Sequence, residues 1–501
     1  MDAGRRSFIR QSSAMAAAMA LWSHPAFGKL LSKDQSVDPA LSVLRRFCLG
    51  IHPTDVEAVY QTGPDAWLAS QLRHGGNDRQ VEADIDRWYP TVGAPVADLL
   101  AALKQGRIET SDVAAQLKGA AVYRAAHSRY PLFEAMVDFW TNHFNINHAT
   151  PALRVLKTMD DREVIRRHAL GSFRDLLHAS AKSPAMLVYL DNATSKKQGF
   201  NENYARELME LHTLGVEGGY THDDVLAVAR VLTGWSVQKE GAQRGTFTFI
   251  SAWHDYDRKR VLGEEYPAGV GQPEGERLLD QLVDHPSTRR FIAEKLCRRF
   301  LSDDPASSAI DTVEAAWGRD GDVKAMLWAL YSTPEFQSAN VVKFRRPLDY
   351  IISMIRTTGT QLDANGVRMV ALGLKGLSQT PFDYSPPTGY PDDAASWAST
   401  SGMLLRWNMA SLALGYRPGS PMPARESLLR PESLVTRRAS PKKIVKELVD
   451  ALVQGVIDND SHALLVSFAR ERSADLPAGS GDVVARDVAN LLFASPWFQW
   501  H

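Results

Sequence analysis

The stretch NENYARELMELHTLGVEGGY, residues 201–220, places three carboxylates, an arginine and a histidine within a few helical turns. At about 100° per residue these side chains separate into two arcs, and His212 falls in the apolar one. The polar arc consists of Asn203, Arg206, Glu207 and Glu210. This arc is either a catalytic face, with Glu207 or Glu210 as the acid beside Arg206, or a solvated face with an ordinary Arg206–Glu210 pair.

A second helix-period stretch, PLFEAMVDFWTNHFNIN at residues 131–147, also directs one histidine inward. His143 lies in the apolar arc with Phe139 and Trp140. A buried imidazole needs partners for both ring nitrogens, and these are either backbone carbonyls or nearby Asp, Glu or metal groups. His143 is therefore a candidate general base or metal ligand, and the alternative is a satisfied core histidine.

The segment WHDYDRKRVLG, residues 253–263, brings His254, Asp255 and Lys259 together just after a strand-like run. Imidazole and carboxylate ligands suit zinc, iron or manganese. One hypothesis is therefore a divalent metal site formed by His143, His254, Asp255 and Glu207. The alternative is a local Asx-type turn, in which the His-Asp pair has a structural role.

Aromatic residues cluster in QTPFDYSPPTGYPDDAASWAST, residues 379–400, which prolines stiffen into a loop. Rings on such a loop can stack against sugars or peptide groups, or they can fasten the loop to the body of the protein. The substrate-binding candidates are Asn203, Lys259, Tyr384, Tyr390 and Trp397.

The elements that must position these residues are mostly helices. Helix-period patterns recur along the chain and end at Gly, Pro or polar clusters. The clearest strand signal is RGTFTFISAW, residues 244–253, which alternates as a hairpin strand does. We predict a mainly α fold, a multi-helix globular array with a small β-hairpin insertion and long ordered loops.

The pattern predicts four parts of the chain. A signal peptide occupies residues 1–28, and the main helical domain spans 29–415, with a strand-containing insertion at about 236–275. A linker rich in Pro, Arg and Ser covers 416–441, and a C-terminal helical subdomain covers 442–501.

The N-terminus has the features of a twin-arginine signal. Arg5 and Arg6 precede a short apolar run and then small residues near Ala26 and Gly28. This predicts a periplasmic or secreted protein that folds before export by the twin-arginine route. No later segment has about 18 uninterrupted apolar residues, so we expect no membrane span in the mature chain.

Composition and absent motifs exclude several classes of function. The 501 residues include 57 Lys and Arg against 58 Asp and Glu, which argues against a nucleic-acid partner. Cys48 and Cys297 cannot form a disulfide framework, although a single bridge between them stays open. We find no HExxH, P-loop, GxSxG, paired CxxC or dinucleotide fingerprint, so zincins, P-loop enzymes, α/β-hydrolases and Rossmann dehydrogenases are disfavoured.

Several blocks in order along the chain resemble the bacterial domain-of-unknown-function 1800 family. They span about residues 40–415, and the resemblance continues less clearly to the end. Tyr390 stands where the family often shows tryptophan, and Arg345-Arg346 stands where a Lys-containing pair is common. The matching blocks include FWTNHF (139–144), PAMLVYLDN (184–192), NENYARELMELHTLGVEGGYTHDDV (201–225), ARVLTGW (229–235), HDYDRKRVLG (254–263), HPSTRRFIAEKLCRRF (285–300), KFRRPLDYIISMIR (343–356) and PPTGYPDDAASW (386–397).

The resemblance implies an exported, helical protein of unassigned biochemistry. Such proteins are often encoded beside members of a second family that is similar to alkaline phosphatases and sulfatases. No established catalytic residue can be carried over from the family. A co-exported phosphatase- or sulfatase-like protein is therefore the partner that the resemblance implies.

Two main hypotheses follow. The first is an enzyme that acts on an envelope or extracellular polymer, preferably a glycan, by His/carboxylate acid–base or metal-assisted chemistry. The second is a non-catalytic assembly or binding partner of the phosphatase- or sulfatase-like protein, or of polymer export. Small-ligand or haem binding is a third interpretation, which rests only on buried histidines from separate helices.

Overall fold

A computed structural model describes residues 38–73, 78–241, 243–338, 343–417, 420 and 422–501. The predicted signal peptide at residues 1–28 lies outside the described residues. The described chain is mainly α-helical with two small antiparallel sheets, which confirms the predicted fold class. The four-part division of the chain stays a prediction.

The first seven helices contain the one that carries His143. Several of them begin at proline, whose fixed φ and missing N–H suit the first turn of a helix. Helix α7 contacts α1, α3 and α6, so its C-terminal turn lies inside the protein. The helices are α1 Pro39–Phe47, α2 Pro53–Thr62, α3 Pro64–Arg73, α4 Arg79–Trp88, α5 Val96–Lys104, α6 Thr110–His127 and α7 Pro131–His143.

The next five helices include two that continue as π-helix. One π segment, Asp160–Arg166, follows α8, and the other, Leu208–Thr213, follows α11. Thr221 and Asp224 form the capping box of α12. The helices are α8 Pro151–Met159, α9 Phe173–Ala181, α10 Pro184–Tyr189, α11 Asn203–Glu207 and α12 His222–Val231.

Two hairpin-like sheets follow α12, one more than the sequence predicts. In the first, β1 Trp235–Val237 pairs with β2 Phe247–Phe249. In the second, β3 Lys259–Val261 pairs with β4 Glu264–Tyr266. The second sheet supports the turn that contains His254.

The remaining helices complete the body and its C-terminal part. Helix α14 packs on the π segment Leu208–Thr213 and on α15. The helices are α13 Gln272–Asp284, α14 Pro286–Phe300, α15 Ser307–Ala315, α16 Val323–Tyr331, α17 Pro334–Gln337, α18 Pro347–Thr357, α19 Ala364–Gly376, α20 Ala394–Trp397, α21 Thr400–Ala413, α22 Pro441–Val453, α23 Asn459–Asp475, α24 Gly481–Ala494 and α25 Pro496–Gln499. Single 3₁₀ turns occur at Asn192–Thr194, Ser251–Trp253 and Pro431–Leu434.

A continuous hydrophobic core extends from Leu41 to Phe498. Cys48 and Cys297 are both buried and free, so the bridge that the sequence left open is not formed. Among the described helices, none combines the length and the apolar character that crossing a bilayer requires.

Candidate functional site

The two inward histidines of the sequence meet at the end of α7. The last carbonyls of a helix lack partners within it, and the carbonyl of His212 is one of these. His143 Nε2 lies 3.1 Å from that oxygen, and because a carbonyl only accepts, Nε2 carries the proton. The two imidazole centroids are 6.1 Å apart. Both rings are buried, as the helical arcs predict.

The proton on Nε2 leaves the other nitrogen of His143 as an acceptor. That Nδ1 has no hydrogen-bond partner among the described residues, and neither ring nitrogen of His212 has one. Burial, together with the charges of Lys295 and His212, holds the pKa of His143 well below its ordinary value. Burial and then Lys295 lower the pKa of His212 to about 3. Both imidazoles are therefore neutral at neutral pH.

Lys295 on α14 lies near these rings, and it is not among the residues predicted from the sequence. Its Nζ lies 5.2 Å from the centroid of Phe291. Across the part of the chain that the structure describes, Lys295 makes no hydrogen bond or ion pair. Burial, with a smaller contribution from Arg298, lowers the pKa of Lys295 to about 8, although Asp392 opposes the shift. At neutral pH this lysine is a cation without an ion-pair partner.

The two arginines behind Lys295 are paired with carboxylates. Arg299 donates to Asp349 at 3.0 and 3.2 Å, and Arg346 donates to Asp349 and Asp138. Burial disfavours the ionised form of Asp349, but Arg299 and Arg346 overcome this and hold its pKa far below its ordinary value. These buried, bidentate contacts give a rigid wall in which the charges are already matched.

The aromatic loop of residues 378–393 forms the opposite wall, and three asparagines hold it. Asn142 pairs with the backbone of Tyr390, donating to its carbonyl at 2.9 Å and accepting from its N–H at 2.7 Å. Asn145 donates to the carbonyls of Tyr384 and Pro386. Asn147 donates to the carbonyl of Ser385, which lies between those two residues. The loop is thus fastened through its backbone to the end of α7.

The backbone of the aromatic loop is held in unusual conformations. Ser378 and Phe382 have φ values of 62° and 64°, which non-glycine residues rarely adopt. Gly389 has a φ of 73°, and a Cβ there would overlap the carbonyl oxygen of Asn142. Strained residues persist where the surrounding structure over-determines them. Here the asparagine contacts supply that constraint.

Contacts with charged side chains hold the C-terminal end of the aromatic loop. Lys343 Nζ donates to Asp303 at 2.7 Å and to the carbonyl of Asp392 at 2.7 Å. The other oxygen of Asp303 accepts from the N–H of Ala394 at the start of α20. Both ends of the loop are therefore anchored to the helical body.

These elements enclose a cavity of about 430 Å³, named here the His143 cavity. That volume falls within the range of about 300–1,000 Å³ that is usual for small-molecule sites. The rings of Tyr384 and Tyr390 lie 4.6 Å apart, and Trp397 lies 6.2 Å beyond Tyr390. The lining residues that matter below are His143, Lys295, Arg298, Tyr384 and Tyr390.

The polar arc of residues 203–210 does not line the His143 cavity. Arg206 pairs with Glu202 at 3.2 Å rather than with Glu210. Burial and the charge of Glu210 raise the pKa of Glu207, while Arg206 opposes the shift. Asn203 is exposed at the start of α11. The arc is a partly solvated face on the other side of the helix from His212.

His254 belongs to a separate buried network. Its Nδ1 lies 2.8 Å from the carbonyl oxygen of Thr233, and its Nε2 lies 3.2 Å from Glu274. Lys259 donates to the same Glu274 oxygen at 2.8 Å and to the carbonyl of Asp255. The carboxylate of Asp255 accepts from Arg230 at 2.7 Å. We call His254, Lys259 and Glu274 the His254 network.

The structure does not bring together the four hypothesised metal ligands, His143, His254, Asp255 and Glu207. His143 and His254 share no hydrogen-bond or ring partner. Throughout the described ranges, no group of three or more His, Cys, Asp or Glu residues is arranged to hold a metal ion. These side chains therefore do not fit a zinc, iron or manganese centre.

Comparison with known proteins agrees with the resemblance seen in the sequence. The family described as "Protein of unknown function (DUF1800)" matches residues 42–500, which is nearly the whole chain. No curated protein and no solved structure matches the chain. The protein that holds the His143 cavity therefore belongs to the DUF1800 family.

Proposed function

We propose that the protein is an enzyme that acts on an envelope or extracellular polymer, a glycan, in the His143 cavity. The observation that carries this proposal is the pairing of a neutral buried imidazole with a cationic amine that has no ion-pair partner. Two titratable groups with opposite protonation states in one cavity are what acid–base catalysis requires.

The two groups have complementary roles in this proposal. His143 is neutral, and its Nδ1 has no partner among the described residues, so in this proposal the ring acts as the base, although burial and the charge of Lys295 lower its pKa and make it a weak one. Lys295 is protonated below a pH of about 8 and donates a proton or stabilises developing negative charge. The carbonyl of His212 fixes the tautomer of His143 and keeps the accepting nitrogen unprotonated.

The aromatic loop supplies the binding surface for the polymer. Tyr384 and Tyr390 line the cavity, and Trp397 extends their row of rings. Aromatic rings offer flat apolar faces that suit the faces of sugars. Arg206, Glu207, Glu210, Asn203 and Lys259 lie outside the cavity, so we assign them no catalytic step.

The test is the release of reducing ends from a panel of polysaccharides by the purified protein. We expect His143→Gln and Lys295→Met each to lower the rate by about 10²- to 10⁴-fold. Glutamine retains a donor for the His212 carbonyl, and the exposed Lys104→Met is the matched control. The proposal fails if no polymer is cleaved, or if both variants cleave at the rate of the unmodified protein.

We also propose that the twin-arginine route exports the protein to the periplasm or beyond. Arg5, Arg6 and the apolar run after them support this. Residues 1–28 fused to a reporter should place it outside the cytoplasm, and changing Arg5 and Arg6 to lysine should abolish export. Export that persists in the lysine variant would contradict the route.

One observation favours the second candidate function, that of a binding partner. Helices α19 and α21 touch where Gly373 meets Met409. Around this contact lie apolar side chains that are 43–60% exposed, and this exposure supports the proposal of a site of protein interaction. They are Met369, Leu372, Leu404, Leu405 and Leu412.

The partner in this candidate function is the co-exported phosphatase- or sulfatase-like protein, or a component of polymer export. Leu372→Glu and Leu405→Glu should abolish co-purification of that partner and leave the release of reducing ends unchanged. Co-purification that survives both changes would exclude this surface.

A further inference from the structure

The balance of charge in the His143 cavity points to the kind of sugar that it binds. The buried arginines have carboxylate partners, since Arg299 and Arg346 share Asp349 and Asp138. Arg298 pairs with Glu294 on the surface of α14 at 2.7 Å. Asp303, Asp392 and Asp393 also line the cavity, but Lys295 forms no ion pair with any described residue.

An uncompensated cation in a partly buried position is unfavourable, because burial removes the water that stabilises its charge. Asp392 lines the cavity and favours the charged form of Lys295, but its carboxylate is paired with Lys343 at 3.3 Å and not with Lys295. The neighbouring rings of His143 and His212 are neutral and offer no negative charge. An anionic group of a ligand would complete this site.

The cavity also provides a donor and acceptor set around that position. His143 is 2% exposed and lines the cavity, and its Nδ1 has no partner among the described side chains. A ligand anion can accept from the ammonium of Lys295. Tyr384 and Tyr390 border the same space.

We infer that the cavity binds an acidic sugar, whose carboxylate or sulfate pairs with Lys295 while its ring packs on Tyr384 and Tyr390. The inference rests on the proposed function only in taking the His143 cavity as the site for a glycan. A free inorganic anion lacks the ring that the tyrosines would contact, so the inference also predicts a preference for sugar-bound anions.

The experiment measures binding of the full chain by calorimetry to polygalacturonate, dextran sulfate and neutral dextran. We expect the acidic polymers to bind and dextran to bind at least about tenfold more weakly. Lys295→Gln should weaken binding of the acidic polymers by about 10- to 100-fold, which is the loss expected when one charge-assisted contact of ordinary strength is removed. Lys295→Arg should retain binding, because it keeps the positive charge, and Lys104→Gln is the surface control.

The polymers distinguish the two sources of the anion. Preference for polygalacturonate assigns the carboxylate of a uronic acid, and preference for dextran sulfate assigns a sulfate ester. When the acidic polymer is present at a concentration that saturates its sites, added inorganic sulfate should not displace it. Equal binding of dextran, or unchanged affinity in Lys295→Gln, would overturn the inference.

The same materials separate this inference from the enzyme proposal. If reducing ends are released only from neutral polymers, the inference of an acidic sugar is wrong, but the proposal of an enzyme is supported. If acidic polymers bind in a way that depends on Lys295 but no polymer is cleaved, the inference of an acidic sugar is supported and the proposal of an enzyme is wrong.

Discussion

The protein contains two clusters of histidine and lysine that differ in how their polar atoms are used. In the His254 network, both ring nitrogens of His254 face oxygen atoms, and Lys259 is bound to Glu274. In the His143 cavity, Nδ1 of His143 and the ammonium of Lys295 have no such partners among the described residues. Histidine and lysine thus occur once with both partnered, although Glu274 Oε1 has no hydrogen-bond partner among the described residues, and once with both open.

The difference separates a cluster that is paired within the protein from one that, in our proposal, receives a ligand. A buried charge that is paired inside the protein resists exchange with an outside partner, because breaking the pair leaves one member unmatched. An unpaired group beside a cavity gains a partner when a ligand enters. Adjacent His and Asp residues in a sequence do not reveal this distinction, whereas the partners of each atom do.

The largest expected effect is on stability in the His254 network. Lys259→Met should lower the free energy of unfolding by about 3–5 kcal/mol, because it removes the cation that is paired with buried Glu274. Urea unfolding followed by circular dichroism measures the change. The same substitution at Lys295 is the matched control and should cost less than about 1 kcal/mol. Equal losses in the two variants would contradict the comparison.

The next effect concerns activity and its pH dependence at the His143 cavity. A 100-fold loss of kcat/KM in Lys295→Met corresponds to about 2.7 kcal/mol of transition-state stabilisation. Because the pKa of Lys295 is lowered to about 8, kcat/KM should fall as the pH rises through that value. Lys295→Arg should move this decline to higher pH, since guanidinium keeps its proton. A decline that stays in place in Lys295→Arg would assign it to another group.

A smaller effect tests the attachment of the aromatic loop. Gly389→Ala introduces a Cβ that overlaps the Asn142 carbonyl at a φ of 73°, and the expected cost is about 1–3 kcal/mol. Polymer binding should weaken with it, because Tyr390 is the next residue. Gly376→Ala is the control, since a Cβ there meets no atom within 4 Å. The account fails if both alanine variants bind polymer as the unmodified protein does.

The last effect is a change in acid stability, which is small within any one pH unit. The pKa of His212 is lowered to about 3 from an ordinary value of 6.5, so above pH 6.5 the ring is neutral in both states. Below that pH the unfolded chain binds a proton that the folded chain excludes, and stability is lost as the pH falls toward 3. Each affected histidine contributes up to about 1.4 kcal/mol per pH unit.

His212→Leu should reduce the loss of stability at acidic pH. It should leave stability at pH 7 nearly unchanged, because the carbonyl that binds His143 is retained. Urea unfolding at several pH values between 4 and 7 measures the slope. An unchanged slope would mean that His212 is accessible to protons in the folded state.

The helical arcs of the sequence predicted part of this site. They placed His143 and His212 inside, and the structure confirms both positions. They did not identify Lys295, because the basic stretch around it has the composition of a solvated face. A signal was present, since Lys295 follows Thr288 and Ile292 on the buried side of α14.

Other parts of the site depend on contacts that no local pattern contains. Asn142, Asn145 and Asn147 bind carbonyls about 240 residues away, so helical or strand periodicity cannot predict these contacts. Two buried asparagines at alternate positions in the apolar segment FNIN were the available hint. The π segment Leu208–Thr213 was also missed, because a helical period of 3.6 residues does not distinguish it.

The asparagine contacts have a consequence for how this family can diversify. Each asparagine binds main-chain atoms of the loop, which every amino acid presents in the same form. The three asparagine contacts do not depend on the side chains at positions 384 and 390, although the hydroxyl of Tyr390 also donates to the carbonyl of Thr380. If the loop binds a ligand as we propose, its ligand preference can change by point substitution at these positions while the asparagine contacts are kept.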